Sequence, residues 1–213
     1  MGKLKDRKDN KKDSFKKNLN NKEIKNYPKK EFVTYEKDSS NLNGIVFEIK
    51  NLKAAIVSTD TVSGLLSLNK PLIYKIKKRD KNKKLIRFVS NLDQIPEVNE
   101  TFKKLASKFW PGKLTLIYKK ESYRMPDDKF ILNLIDKTGP LYSSSANLSG
   151  NPPITNIIDA FESFNKYKSD IIFIEGDYYQ NNQPSTIYDI DTNTLKREGE
   201  IKYEWIKKTI EEN

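Results

Sequence analysis

Leu141-Tyr142-Ser143-Ser144-Ser145-Ala146-Asn147-Leu148-Ser149-Gly150 is the stretch on which the reading of this chain turns. An apolar strand entry runs into a sharp turn, and a polar run follows that a glycine closes. Small hydroxyl and amide groups beside free backbone N–H groups suit a phosphate or a carboxylate better than a core. The same residues also make an ordinary capped, serine-rich turn. The flanking sequence bears on the choice.

Upstream, a helix is expected from about Asp128 to Lys137, ended by Gly139-Pro140. Before it come Tyr123-Arg124-Met125-Pro126 and a strand over Leu114 to Tyr118. Val98 to Trp110 is the clearest helix. Val98, Phe102, Leu105, Ala106 and Phe109 share one face, and Trp110-Pro111-Gly112 stops it. Leu85 to Val89 reads as a strand. Pro71 opens a helix whose apolar face is Leu72, Ile73 and Ile76. Lys77 and Arg79 follow at its end, where they either offset the helix dipole or clamp phosphates. Ala54 to Val57 is a buried strand after a short helix over Leu42 to Leu52. It ends in Ser58-Thr59-Asp60-Thr61-Val62-Ser63-Gly64, hydroxyls beside an acid where a ligand crevice would lie. Downstream, a helix over Asn156 to Phe164 precedes a strand over Asp170 to Ile174 and a polar loop of Tyr, Gln and Asn. Pro184 to Ile190 and Thr194 to Arg197 read as a hairpin around Asp191-Thr192-Asn193, followed by a terminal helix over Tyr203 to Glu212. The fold class that results is α/β of the mixed α+β kind, a mixed sheet with helices packed on it.

The charge is unevenly distributed. The chain of 213 residues carries a net charge of +11. Residues 1–37 hold 13 Lys or Arg against 6 Asp or Glu, so most of the excess lies there. Their sparse, aperiodic apolar residues do not offset the entropy of ordering. The expectation is a basic, disordered tail to about residue 40 and one domain over 41–213. A basic balance points to a polyanionic partner such as a nucleotide or RNA. There is no cysteine and no histidine, which excludes disulfides, thiolate metal sites and histidine acid–base chemistry. No protein-held metal site is expected. No apolar run is long enough to span a membrane, and no secretory leader follows the basic start, so a cytoplasmic location is expected.

Seven short segments, in this order, resemble the YrdC/Sua5 family of L-threonylcarbamoyladenylate synthases. They are Ser58 to Leu65, Lys77-Lys78-Arg79, Trp110 to Thr115, Tyr123 to Pro126, Ser143 to Gly150, Pro184-Ser185-Thr186 and Arg197-Glu198-Gly199. The resemblance implies a twisted mixed parallel and antiparallel sheet around a basic cavity, in the short single-domain form. It implies a nucleotidyltransferase that joins L-threonine, bicarbonate or CO2, and ATP to give threonylcarbamoyl-AMP and pyrophosphate. Separate transferase proteins then pass the group to adenosine 37 of tRNA. By the same resemblance Lys77 and Arg79 are catalytic. Lys77, Arg79, Ser145, Asn147 and Arg197 bind ATP, and Thr61, Arg124, Ser143 and Ser185 form the threonine pocket. Mg2+ is implied as a companion of ATP, held by phosphate and water, and tRNA is an implied partner.

The implied chemistry suits these residue types. A threonine carbamate attacking the α-phosphate needs positioning and cationic stabilisation rather than a nucleophilic side chain. The sequence departs from the family pattern at Ser63, where Tyr is usual, and at Asp80, where Pro is usual. It also departs at Phe88, near a usual histidine, and at Lys83 and Lys84. Two other readings therefore stay open. One is a non-catalytic RNA- or nucleotide-binding module on the same fold, and the other is a paralogue with a different carbamoyl-type substrate.

Overall fold

The computed structural model describes residues 32–152, 154, 156–176 and 183–212. The elements, in order, begin with β1 (Val33–Glu36), α1 (Leu42–Lys50), β2 (Ala54–Val57), β3 (Gly64–Ser67) and α2 (Lys70–Lys77). Next come β4 (Ile86–Phe88), α3 (Glu100–Phe109), β5 (Leu114–Tyr118), β6 (Glu121–Arg124) and α4 (Lys129–Thr138). The last are β7 (Leu141–Ser145), α5 (Ile157–Phe164), β8 (Ile171–Glu175), β9 (Thr186–Asp189), β10 (Thr194–Arg197) and α6 (Tyr203–Glu211). All ten strands join one mixed sheet, in the order β1-β8-β2-β3-β7-β4-β6-β5-β9-β10. Among the described residues, no helix is long and apolar enough to cross a membrane.

Alternation along the strands separates core from site. Leu114, Leu116 and Tyr118 of β5, Tyr123 of β6 and Tyr188 of β9 pack with α3 and α6. Their neighbours Ile117, Ser122, Arg124 and Ile187 point to the other face and line a cavity. A second apolar cluster joins α1 and α4 to β2, β3, β7 and β8 through residues such as Ile45, Ile135, Val57, Leu141 and Ile174. Four of the helices start where capping side chains supply acceptors. Asn69, Asn99, Asp128 and Asn156 each accept a backbone N–H of the first turn of α2, α3, α4 and α5.

The structure corrects the sequence reading at four places. The domain begins earlier than residue 41. Val33–Glu36 pairs in parallel with β8, and Phe32 stacks on Phe161 at 4.6 Å and meets the edge of Phe173 at 5.1 Å. Lys37 donates to the Ser58 carbonyl and pairs with Asp128. Four residues were too short a run to stand out in a basic segment. Residues 1–31, which carry most of the expected tail, lie outside the described residues, as does most of the polar loop before Pro184.

Second, Ser143, Ser144 and Ser145 continue strand β7 rather than turning, because β3 pairs with them through Gly64, Leu65 and Leu66. Third, β3 itself is a fully buried strand of four residues that begins inside the Ser58 to Leu65 motif. Fourth, β6 follows β5 through a two-residue turn at Lys119 and Lys120, both with positive φ. The usual glycine signal of such a turn is missing. Asp191 replaces it from the next hairpin, its carboxylate accepting the N–H of Lys119 and of Lys120, both at 2.8 Å.

Phe32→Ala removes a buried ring from the Phe161–Phe173 cluster. A loss of about 3 kcal/mol is expected in urea unfolding. A change within error would mean that the edge strand does not contribute to the domain.

Candidate active site

The cavity has a volume of about 600 Å3 and is lined from both halves of the sheet. Its inner end is built by the loop after β2. The Thr59 hydroxyl accepts the Thr61 N–H at 3.1 Å and donates to the Val62 carbonyl at 2.7 Å, which holds the Thr61 hydroxyl inward. That hydroxyl accepts from Arg124 Nη1 at 2.8 Å. Arg124 is only 2% exposed. Its Nε donates to the Gly112 carbonyl at 2.9 Å, its Nη2 pairs with Asp60, and its Cζ lies 5.5 Å from the centre of the Phe88 ring. Burial lowers the Arg124 pKa, and the Asp60 charge opposes that shift. Asp60 also accepts the Asp127 N–H, at 3.1 Å.

The outer end is cationic. The αL conformation of Lys78 ends α2 and splits the Lys-x-Arg motif. Arg79 turns into the cavity, its Nε and Nη2 held by the Lys83 and Lys84 carbonyls. Lys77 turns the other way. The residue is 1% exposed, and its ammonium donates to the carbonyls of Ser145 and Asn147 and, at 3.1 Å, to Asn147 Oδ1. Arg197 reaches across from β10 and donates to the Ser185 carbonyl at 2.9 and 2.8 Å. The Ser185 hydroxyl is 2.8 Å from that of Thr115. Burial, then the neighbouring Arg124 charge, lowers the Arg197 pKa.

Of the residues singled out from the sequence, Thr61, Arg79, Arg124, Ser143, Ser145, Ser185 and Arg197 line this one cavity. Lys77 and Asn147 do not. They stand behind its wall and shape the loop that carries Ser145, whose hydroxyl donates to Asn147 Oδ1 at 2.5 Å. Sequence reasoning missed Asp60, Lys84 and Lys196. Lys84 entered the sequence reading only as a departure from the family pattern and Lys196 not at all, yet both line the cavity. Asp60 carried a signal, an acid between two threonines at a strand end. Its partner lies 64 residues away, so the pairing was not legible.

A model of the Sua5/YciO/YrdC family, described as "Telomere recombination", matches residues 48–199. The chain belongs to this family. A Mycoplasma genitalium protein of uncharacterised function is 32% identical over 187 residues, which is 79% of this chain and 39% of that protein. A Methanocaldococcus jannaschii protein, provisionally named threonylcarbamoyl-AMP synthase, is 33% identical over 205 residues, or 86% of this chain and 95% of the relative. The structure of Pyrococcus abyssi Sua5 complexed with L-threonine matches with a TM-score of 0.73 at 27% identity, covering 84% of this chain and 60% of that one. This Sua5/YciO/YrdC chain spans 39% of the length of each of its two Mycoplasma relatives.

Lys77 gives the site a titration. Burial, then the nearby Arg79 charge, pushes its pKa down from 10.5 to about 7. The unfolded chain keeps this proton until about pH 10, so above pH 7 the unfolded state binds more protons and stability rises with pH. Lys77→Met removes the effect. Between pH 7 and about 9, urea unfolding of the parent chain should gain on the order of 1 kcal/mol per pH unit relative to Lys77→Met. Parallel pH curves for the two proteins would contradict the assignment.

Proposed function

We propose that this chain is an L-threonylcarbamoyladenylate synthase, making threonylcarbamoyl-AMP and pyrophosphate from L-threonine, bicarbonate or CO2, and ATP. One observation carries the reading. A single cavity holds a buried, carboxylate-paired guanidinium, Arg124, and two further guanidiniums, Arg79 and Arg197, that donate to carbonyl and hydroxyl oxygens. Such a site suits a carboxylate and a polyphosphate side by side. The name of the Methanocaldococcus relative and the L-threonine bound by Pyrococcus abyssi Sua5 support the same substrates.

In this proposal the threonine carboxylate meets Arg124, with Thr61, Ser143 and Ser185 as hydroxyl partners around it. The amine, once neutral, adds to CO2, gives up a proton to water and leaves a carbamate. A carbamate oxygen attacks the α-phosphorus of ATP, and the bond to pyrophosphate breaks. Charge grows on the α-phosphoryl oxygens and the leaving group, where Arg79, Arg197, Lys84 and Lys196 stabilise it. Lys77 and Asn147 act through the loop that carries Ser145, which orients the nucleotide. No carboxylate lines this cavity among the described residues. Mg2+ would therefore enter on the ATP phosphates, held by them and by water, and would supply charge neutralisation. The product is a mixed anhydride, so a transferase must take it up before water does. Transfer to adenosine 37 of tRNA completes the proposed role.

The test is pyrophosphate release from ATP and bicarbonate by the purified chain, with and without L-threonine. Threonine-dependent release is expected. ATP binding without release would favour a non-catalytic nucleotide-binding module instead. Arg79→Ala and Arg197→Ala should each slow turnover by roughly a hundredfold with the fold intact. Rates near the parent's in both variants would overturn the proposal.

A further inference from the structure

The Arg124–Asp60 pair asks for more explanation than its hydrogen bonds supply. The Asp60 side chain is 7% exposed. One carboxylate oxygen, Oδ2, accepts both from Arg124 and from the Asp127 N–H. The other, Oδ1, is buried without a partner among the described residues. The carbonyl oxygen of an asparagine could accept the same two bonds. What the aspartate adds is its charge.

That charge changes what Arg124 can bind. The guanidinium has five N–H donors. Gly112, Thr61 and Asp60 occupy three. This leaves one on each terminal nitrogen among the described residues, enough for two hydrogen bonds to a carboxylate. With Asp60 beside it the pair is close to neutral, so an incoming anion gains hydrogen bonds but little net attraction. The repulsion from Asp60 grows in proportion to the charge of that anion. The attraction to Arg124 grows by the same factor and largely cancels it, while the cost of desolvating the anion grows faster than its charge, so a dianionic phosphate enters beside this pair less readily than a carboxylate. Arg79 and Arg197 hydrogen-bond to carbonyl and hydroxyl oxygens, with no carboxylate partner of the kind Arg124 has among the described residues.

We infer that Asp60 is the specificity-determining residue of the inner end of the cavity, admitting a monoanionic carboxylate beside Arg124 and rejecting phosphate. Discrimination comes from a repulsive element set next to an attractive one. The cavity is thereby graded, with carboxylate at Arg124 and polyphosphate at Arg79. The inference rests on the proposed role of Arg124 as the carboxylate partner.

Inorganic phosphate is the probe, titrated into the full chain by calorimetry, alone and with L-threonine or ATP present. For the parent chain, phosphate should compete with ATP and not with L-threonine. Asp60→Asn should gain a phosphate site that binds at least tenfold more tightly than any at that end of the parent, and phosphate should then displace L-threonine. Asp60→Glu should restore the parent pattern, and Arg124→Gln should abolish the added site in the Asp60→Asn background. Equal phosphate binding by the parent and a folded Asp60→Asn variant would overturn the inference. Competition between phosphate and L-threonine in the parent would overturn it as well, and needs no variant to fold. If the parent binds no L-threonine, the functional reading fails, while the phosphate comparison still decides the role of Asp60.

Discussion

A guanidinium buried to 2% exposure must be paired, and the pairing of Arg124 organises the site around it. Its partners come from three separate places. Gly112 lies just before β5, Asp60 and Thr61 lie after β2, and Phe88 ends β4. Asp60 extends the network to the chain entering α4 through the Asp127 N–H. Removing either charge would strand the other in a water-poor interior, which costs several kcal/mol. The interaction that forms the inner wall of the cavity is thus also one that fixes the relative positions of β2, β4, β5 and β6.

The opposite wall follows a different logic. A single left-handed residue, Lys78, sends Lys77 and Arg79 to opposite sides of one wall. Arg79 faces the cavity, and Lys77 goes under the loop that follows β7, where it gathers the carbonyls of Ser145 and Asn147. The Ala146 N–H donates to the Ser63 carbonyl at 2.6 Å, and the Ser149 N–H to the Lys77 carbonyl at 3.2 Å. Motifs far apart in sequence therefore brace one another through backbone groups. This is why small residues recur in them.

Much of the fold was legible where periodicity had room to act. The apolar face over Val98 to Phe109 marks α3, and Asn99 caps it. The buried run Ala54–Val57 marks β2. The strands that escaped notice are short and owe their form to neighbours. Val33–Glu36 is ordered by β8 and by the rings around Phe32. Glu121–Arg124 is turned back by Asp191, an acceptor that no local pattern reveals. The serine run reads as a turn because serine favours turns, yet pairing with β3 draws it out as strand.

By itself the sequence determined the helices, most of the strands and the family to which they belong. It also determined the chemical character of the site, with cations and hydroxyls and no histidine or cysteine. These follow from residue type and spacing along the chain. The tertiary structure alone decided which cations face the cavity and which are spent on the wall. It also set a carboxylate 64 residues away against Arg124. Orientation and counter-charge depend on what packs beside a residue, and that is settled only when distant strands are laid side by side.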